Sequence, residues 1–127
     1  MAKYRVAAVK CDDYSRLHEA FEELAQNDAL SSFAAKVRGK KVLVKPNILG
    51  LFPPEKAVCT HPEMVRAVVR WLRAAGALVT VGDNCGLGGY GLNQSAAQKS
   101  GIADASEGAF VNIAKDGMEK EVESRFF

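Results

Sequence analysis

The apolar positions of this chain follow two spacings, one typical of short buried strands and one typical of amphipathic helices. Short apolar runs at residues 4–9, 41–45, 77–81 and 110–113 predict four strands. Helical spacing lies between the runs, at Leu17, Ala20, Phe21 and Leu24, at Leu30, Phe33, Ala34 and Val37, and at Met64, Val65, Val68, Val69, Trp71 and Leu72. A further short helix is predicted around residues 94–100. This alternation predicts an α/β fold, a three-layer, mostly parallel sheet of about four strands with right-handed helical crossovers.

Local signals mark where the middle elements begin and end. Thr60 and Glu63 have the spacing of a capping box, and Pro62 fits the first turn of the helix that follows. Gly76 is predicted to end that helix. Pro46 ends the second predicted strand, because proline has no N–H to donate to a sheet. Two long loops therefore follow the second and third strands, and both fall at the edge where open parallel sheets bind ligands.

Composition limits the classes of function that fit the chain. Its 127 residues suit one domain, and 48% hydrophobic with 25% charged residues is typical of a globular protein. The net charge of +2 comes from scattered basic residues, and no apolar run has the length of a membrane span. We therefore expect no nucleic-acid or membrane partner. The widely separated Cys11, Cys59 and Cys85 predict reduced thiols and a cytoplasmic location.

The C-terminal residues bear on the extent of the domain. The chain ends in the apolar pair Phe126 and Phe127, which is unusual on a finished surface. We read residues 1–127 as a single α/β domain that forms the N-terminal part of a larger domain truncated near Phe127. The two explanations for the pair are a missing C-terminal segment that packs on it and a homodimer that hides it.

The first candidate site is the end of the second predicted strand, Lys45-Pro46-Asn47. A lysine at the end of a buried strand needs an anion or a carboxylate nearby to offset its desolvation. Asn47 offers both hydrogen-bond donors and an acceptor, so the two side chains could hold a carboxylate or a phosphate. The structural alternative is that Lys45 extends into solvent and Asn47 makes a turn.

The second candidate site is the loop after the third predicted strand, which begins Gly82-Asp83-Asn84-Cys85-Gly86. Asp83 either accepts hydrogen bonds from a ligand or caps its own turn. Cys85 either acts as a nucleophile or soft metal ligand or packs as a small semi-buried side chain. Gly86 opens a formal G-x-G-x-x-G match, but a dinucleotide fold places that motif after its first strand. The loop is better explained as closing over another ligand or as a glycine-rich turn.

Metal binding has only a partial signal. Cys59 and His61 are two residues apart and would supply half a site. The chain has no C-x-x-C pair, so zinc and iron–sulfur signatures are missing from the sequence, and we predict no metal ligands. His61 is better explained as a residue at the start of its helix.

Three segments taken together resemble the domain of unknown function 362 family. They are Val42-Leu43-Val44-Lys45-Pro46-Asn47, then residues 54–63 with Thr60-His61-Pro62-Glu63, then Val79-Thr80-Val81-Gly82-Asp83. Asn84 and Cys85 depart from the pattern, since many relatives have serine followed by a small residue or proline. The resemblance implies a longer domain in bacteria or archaea. It implies four-iron clusters only through a missing or partner domain, and it supplies no reaction.

The sequence therefore supports two kinds of function. In the first, the chain is a ligand-binding or enzymatic domain in which Lys45 and Asn47 hold an anionic small molecule. Asp83, Asn84, Cys85 and Gly86 complete that pocket, and Thr60 and His61 reach the same edge. In the second, the chain is a non-catalytic module of an iron–sulfur redox protein or a dimeric scaffold. No residue is assigned a catalytic role, and whether the chain is an enzyme stays open.

Overall fold

The computed structural model describes residues 6–87, 90–113 and 115. Two strands lie in this part of the chain, β1 at Lys41–Val44 and β2 at Leu78–Val81. They pair in parallel, with Lys41 opposite Leu78 and Val44 opposite Val81. Both were predicted, and together they confirm a mixed α/β fold with a parallel sheet.

Five helices are present in the described part of the chain, and the first four follow the order that the sequence predicts. The helices are α1 at Leu17–Ala25, α2 at Asp28–Val37, α3 at Pro62–Ala74, α4 at Asn93–Lys99 and α5 at Ile102–Ala105. Short 3₁₀ turns occupy Tyr14–Arg16, Pro54–Lys56 and Tyr90–Leu92. The short helix α5 was not predicted. None of the helices in the described part of the chain is long and apolar enough to span a bilayer.

Helix α3 connects the two strands and covers one face of them. Its buried residues Val65, Val69 and Leu72 pack, with α2, α4 and α5, against the strand residues Val44 and Val79. Full burial of one such valine contributes about 1.5 kcal/mol. The buried core of the described residues therefore lies between the two strands and helices on one of their faces.

The start of α3 differs from the predicted capping box. The N-cap is His61, whose Nδ1 accepts a hydrogen bond from the Glu63 N–H at 3.3 Å. The prediction that Thr60 has this role is wrong, because its hydroxyl accepts instead from the backbone N–H of Asn47. The other end is as predicted, since Gly76 follows the last turn with a φ of 86°.

The opposite face of the strands is open in the described structure. Side chains alternate along a strand, so Leu43 and Leu78 point away from α3, and they are 56% and 61% exposed. The predicted strand at residues 110–113 is reduced to one parallel bridge between Val81 and Phe110. Residues 6–9 form no strand, and the rest of the predicted first strand lies outside the described residues. The predicted three layers and four strands are therefore not confirmed.

A cluster of arginines ties α3 to α5 and to the segment that follows α5. Arg70 Nε donates to Glu107 Oε1 at 2.7 Å, and Arg73 donates to the Glu107 carbonyl at 3.1 Å. Arg66 pairs with Asp104 at 3.0 Å. The hydrogen bond from Arg70 holds the pKa of Glu107 below its usual value, with further help from the neighbouring arginine charges. The cluster fixes the residues that lead into the Val81–Phe110 bridge.

Candidate functional site

The loops after β1 and β2 run side by side and are joined through their backbones. The Gly82 N–H donates to Val44 O at 3.1 Å, and the Gly86 N–H donates to Ile48 O at 3.3 Å. The Leu87 N–H donates to Leu49 O at 2.7 Å. The parallel pairing of the strands thus continues beyond the sheet, and it brings the two candidate segments to one edge.

Asp83 joins the two loops through its side chain. The residue is only 3% exposed, and its Oδ2 accepts a hydrogen bond from the Ile48 N–H at 2.7 Å. Its Oδ1 lies 2.5 Å from Lys45 Nζ and has no hydrogen bond of normal geometry among the described residues. The contact with Lys45 is therefore best described as an ion pair. A buried carboxylate needs such a partner, because isolated charges are costly to bury.

Lys45 is exposed where Asp83 is buried, since 65% of the Lys45 side chain is accessible to solvent. The stem leaves the end of β1, and the ammonium group contacts the buried carboxylate of Asp83 on one side. A lysine ammonium carries three N–H donors, and those that face away from Asp83 can point to solvent or to a ligand. The arrangement holds a positive group at the rim of the joined loops.

Asn47 and Thr60 bring a third segment to the same edge. The Asn47 N–H donates to Thr60 Oγ1 at 2.9 Å, and the Thr60 N–H donates back to Asn47 O at 3.0 Å. Asn47 Nδ2 also donates to Val58 O at 2.9 Å. Both residues therefore fix the long loop that leads into α3, although Asn47 remains exposed.

His61 lies next in the chain after Thr60 and is held in a defined orientation. Its Nδ1 accepts from the Glu63 N–H, so in the neutral ring the proton is on Nε2. The ring stacks on Tyr14, with centroids 3.6 Å apart and planes 6° from parallel. Sequence reasoning did not single out Tyr14, because this contact joins segments that are distant along the chain.

The remaining loop residues divide into buried and exposed positions. Cys85 is 4% exposed, and its thiol contacts Leu87 O at 3.0 Å and Leu49 O at 3.4 Å. This environment fits the structural reading of Cys85, a small buried side chain with a weak S–H donor. Asn84 and Gly86 are exposed beside it. Gly88 and Gly89, which complete the glycine-rich match, lie outside the described residues.

Asn93 is a second residue of this region that the sequence analysis did not single out. It is 1% exposed, and its Oδ1 accepts from the Cys85 N–H at 2.5 Å. Its Nδ2 donates to Asp83 O at 3.0 Å and to Asn112 Oδ1 at 3.2 Å. The only available signal was an asparagine at the start of a helix after a glycine-rich loop, a position that favours polar side chains for many reasons.

A metal site needs several donor side chains that face one point. In the part of the chain that the structure describes, no group of three or more histidine, cysteine, aspartate or glutamate residues is arranged to hold a metal ion. Cys59, half of the pair considered from the sequence, is partly buried and its thiol lies 4.0 Å from Gly50 O.

The fold and the joined loops define a mixed α/β chain with polar groups collected at the carboxyl ends of parallel strands. Residues 42–126 match the family described as domain of unknown function (DUF362). The match covers well over half of the sequence and includes every candidate site residue, and the chain belongs to this family. No curated protein and no solved structure matches the chain.

Proposed function

We propose that this chain binds an anionic small molecule, a carboxylate or a phosphate, at the rim of the two joined loops. The observation that carries the proposal is the pairing of an exposed lysine with a buried carboxylate. The side chain of Lys45 is 65% exposed, and the buried carboxylate of Asp83 forms an ion pair with the Lys45 ammonium group. The remaining N–H donors of Lys45 bind the anion.

The fixed position of the ammonium supports this reading. A free surface lysine loses side-chain entropy when it binds a ligand, and that loss reduces affinity. Asp83 already restricts Lys45, so part of this loss occurs on folding. Asp83 also neutralises the local charge, and binding therefore depends on directed hydrogen bonds more than on long-range attraction. Asn47 is exposed on the same loop and offers a further polar contact.

Lys45→Ala is the test of this proposal, and Lys41→Ala is its matched control. Lys41 begins the same strand, is also exposed and lies at the opposite end from the loops. Titration calorimetry with inorganic phosphate and with acetate measures the dissociation constant of each variant. We expect at least one of the two anions to bind, and Lys45→Ala to weaken it about tenfold or more, the loss of one charge-assisted contact. Lys41→Ala should bind as the parent does.

Equal affinity of the parent and Lys45→Ala for both anions would show that Lys45 is not the anion contact. Equal weakening by both lysine variants would mean that overall charge is responsible and not this site. An iron–sulfur setting and a cytoplasmic location stay predictions from the sequence, and neither is required for anion binding.

The exposed strand face favours a second candidate, a dimeric scaffold. Leu43 and Leu78 on this face are 56% and 61% exposed, and Val111 and Ile113, which follow the Val81–Phe110 bridge, are 48% and 38% exposed. Parallel strands are almost always covered on both faces, so this face is expected to have a partner. The strand positions on it carry one charge, Lys41 at the edge, and a two-fold pairing of two copies would create little repulsion.

Light scattering at two protein concentrations tests the dimer. Leu43→Lys places a charge in the centre of the face, and Leu51→Lys changes a leucine of similar exposure, 48%, in a loop. We expect the parent and Leu51→Lys to approach twice the monomer mass as concentration rises, and Leu43→Lys to stay monomeric. A monomeric parent at both concentrations would exclude the dimer.

A further inference from the structure

We infer that Asn93 is a positioning residue for the anion site, which it controls through Asp83. The inference rests on the proposed function and adds a residue to it. Asn93 does not reach the rim itself, because its side chain is buried beneath the loop with 1% exposure. Its effect on a ligand passes through the backbone of residues 83–85.

The contacts of Asn93 hold both sides of Asn84. Its Oδ1 accepts from the Cys85 N–H, and its Nδ2 donates to the carbonyl of Asp83 at 3.0 Å. Asp83 is therefore held at two points, at its carbonyl by Asn93 and at its carboxylate by the Ile48 N–H. With the backbone and the carboxylate both fixed, Oδ1 of Asp83 is set in place against the ammonium of Lys45.

The chemistry of this position selects an amide. One side chain must accept a hydrogen bond from one backbone group and donate one to another within the same turn. An amide can do both, because it combines a carbonyl oxygen that accepts with an NH₂ group that carries two donors. The second donor of Asn93 is used by Asn112 Oδ1 at 3.2 Å. An ionised aspartate has the same shape but no donor, so it would face the Asp83 carbonyl with a lone pair. It would also bring a second negative charge close to Asp83.

Asn93→Asp tests the inference, with Ser106→Ala as the control for stability. Ser106 is also buried, but it is the C-cap of α5, and its hydroxyl donates to Ile102 O at 2.6 Å within that helix end. Both variants should unfold at lower denaturant concentration. Only Asn93→Asp should weaken the binding of inorganic phosphate, by about tenfold in the dissociation constant. Calorimetry measures this constant under conditions where both variants are folded. The ¹⁵N resonance of Lys45 Nζ should also move in Asn93→Asp and stay in place in Ser106→Ala.

The outcomes separate this inference from the proposed function. Parent binding with loss in Lys45→Ala supports the function, and an unchanged phosphate affinity in Asn93→Asp then overturns the positioning role alone. Equal weakening by Asn93→Asp and Ser106→Ala overturns it too, since general loosening would explain both. If Asn93→Asp does not fold, Asn93→Ser is compared with Ser106→Ala on the same two measurements. If the parent binds neither inorganic phosphate nor acetate, both proposals are rejected.

Discussion

Asp83→Ala should lower the free energy of unfolding by about 2–3 kcal/mol, the largest effect that we expect from a single side chain of the site. The buried N–H of Ile48 would lose its acceptor, and an unsatisfied buried donor costs about 1–3 kcal/mol. The loss of the ion pair adds less, because Lys45 is mostly exposed and water would solvate it. Urea denaturation followed by circular dichroism measures the change.

Two further variants define how Asp83 acts. Asp104→Ala removes a carboxylate that also forms an ion pair, with Arg66, but is 85% exposed. The free energy of unfolding should therefore change by no more than about 0.5 kcal/mol. Asp83→Asn keeps an acceptor for the Ile48 N–H but turns an NH₂ group towards the Lys45 ammonium, and its cost should lie between the two. If Asp83→Ala proves as stable as Asp104→Ala, the carboxylate does not join the loops.

Gly82→Ala should destabilise the protein by about 2 kcal/mol through overpacking. Gly82 is buried, and a Cβ at this position would lie 2.6 Å from Ile113 Cγ2 and 2.9 Å from the Val111 carbonyl oxygen. The carbonyl belongs to the backbone that follows the Val81–Phe110 bridge, so relief requires the two segments to separate. The same denaturation experiment measures the change.

Gly91→Ala is the control for this substitution. A Cβ at Gly91 would meet no atom of the described residues within 4 Å, so its cost should be within about 0.5 kcal/mol. Equal stability of the two variants would mean that residues 110–113 do not approach β2 as closely as the structure has them. A larger loss of stability in Gly82→Ala than in Gly91→Ala supports the close approach of residues 110–113 to β2.

Elements with a strong local pattern were predictable from the sequence. The apolar run of β1, the wide apolar face of α3 and the glycine that ends it each depend on residues within a few positions of one another. Those signals predicted the strand, helix and strand around the site. The same reasoning failed at Thr60, because its spacing to Glu63 satisfies the capping pattern while its hydroxyl binds Asn47, a residue of another loop.

The contacts that build the site were not predictable in this way. Asp83 binds the N–H of a residue 35 positions earlier, and Asn93 binds backbone groups 8 and 10 positions away. Such pairs depend on the path of the loops, and a single sequence does not encode that path in any local spacing. The four predicted strands are not confirmed for a similar reason, since the short apolar runs at residues 6–9 and 110–113 do not pair as full strands in the described structure. Phe126 and Phe127 lie outside the described residues, so packing on them stays a prediction.

Anion binding at Lys45 is tested best by a site-resolved titration. Inorganic phosphate is added to ¹⁵N-labelled protein, and the Nζ resonances of Lys45 and Lys41 are followed together with the Ile48 and Asp83 amides. We predict a saturable shift of Lys45 and of the two amides with one dissociation constant, while Lys41 moves little. Equal, non-saturating shifts of the two lysines would contradict a defined anion site on the joined loops.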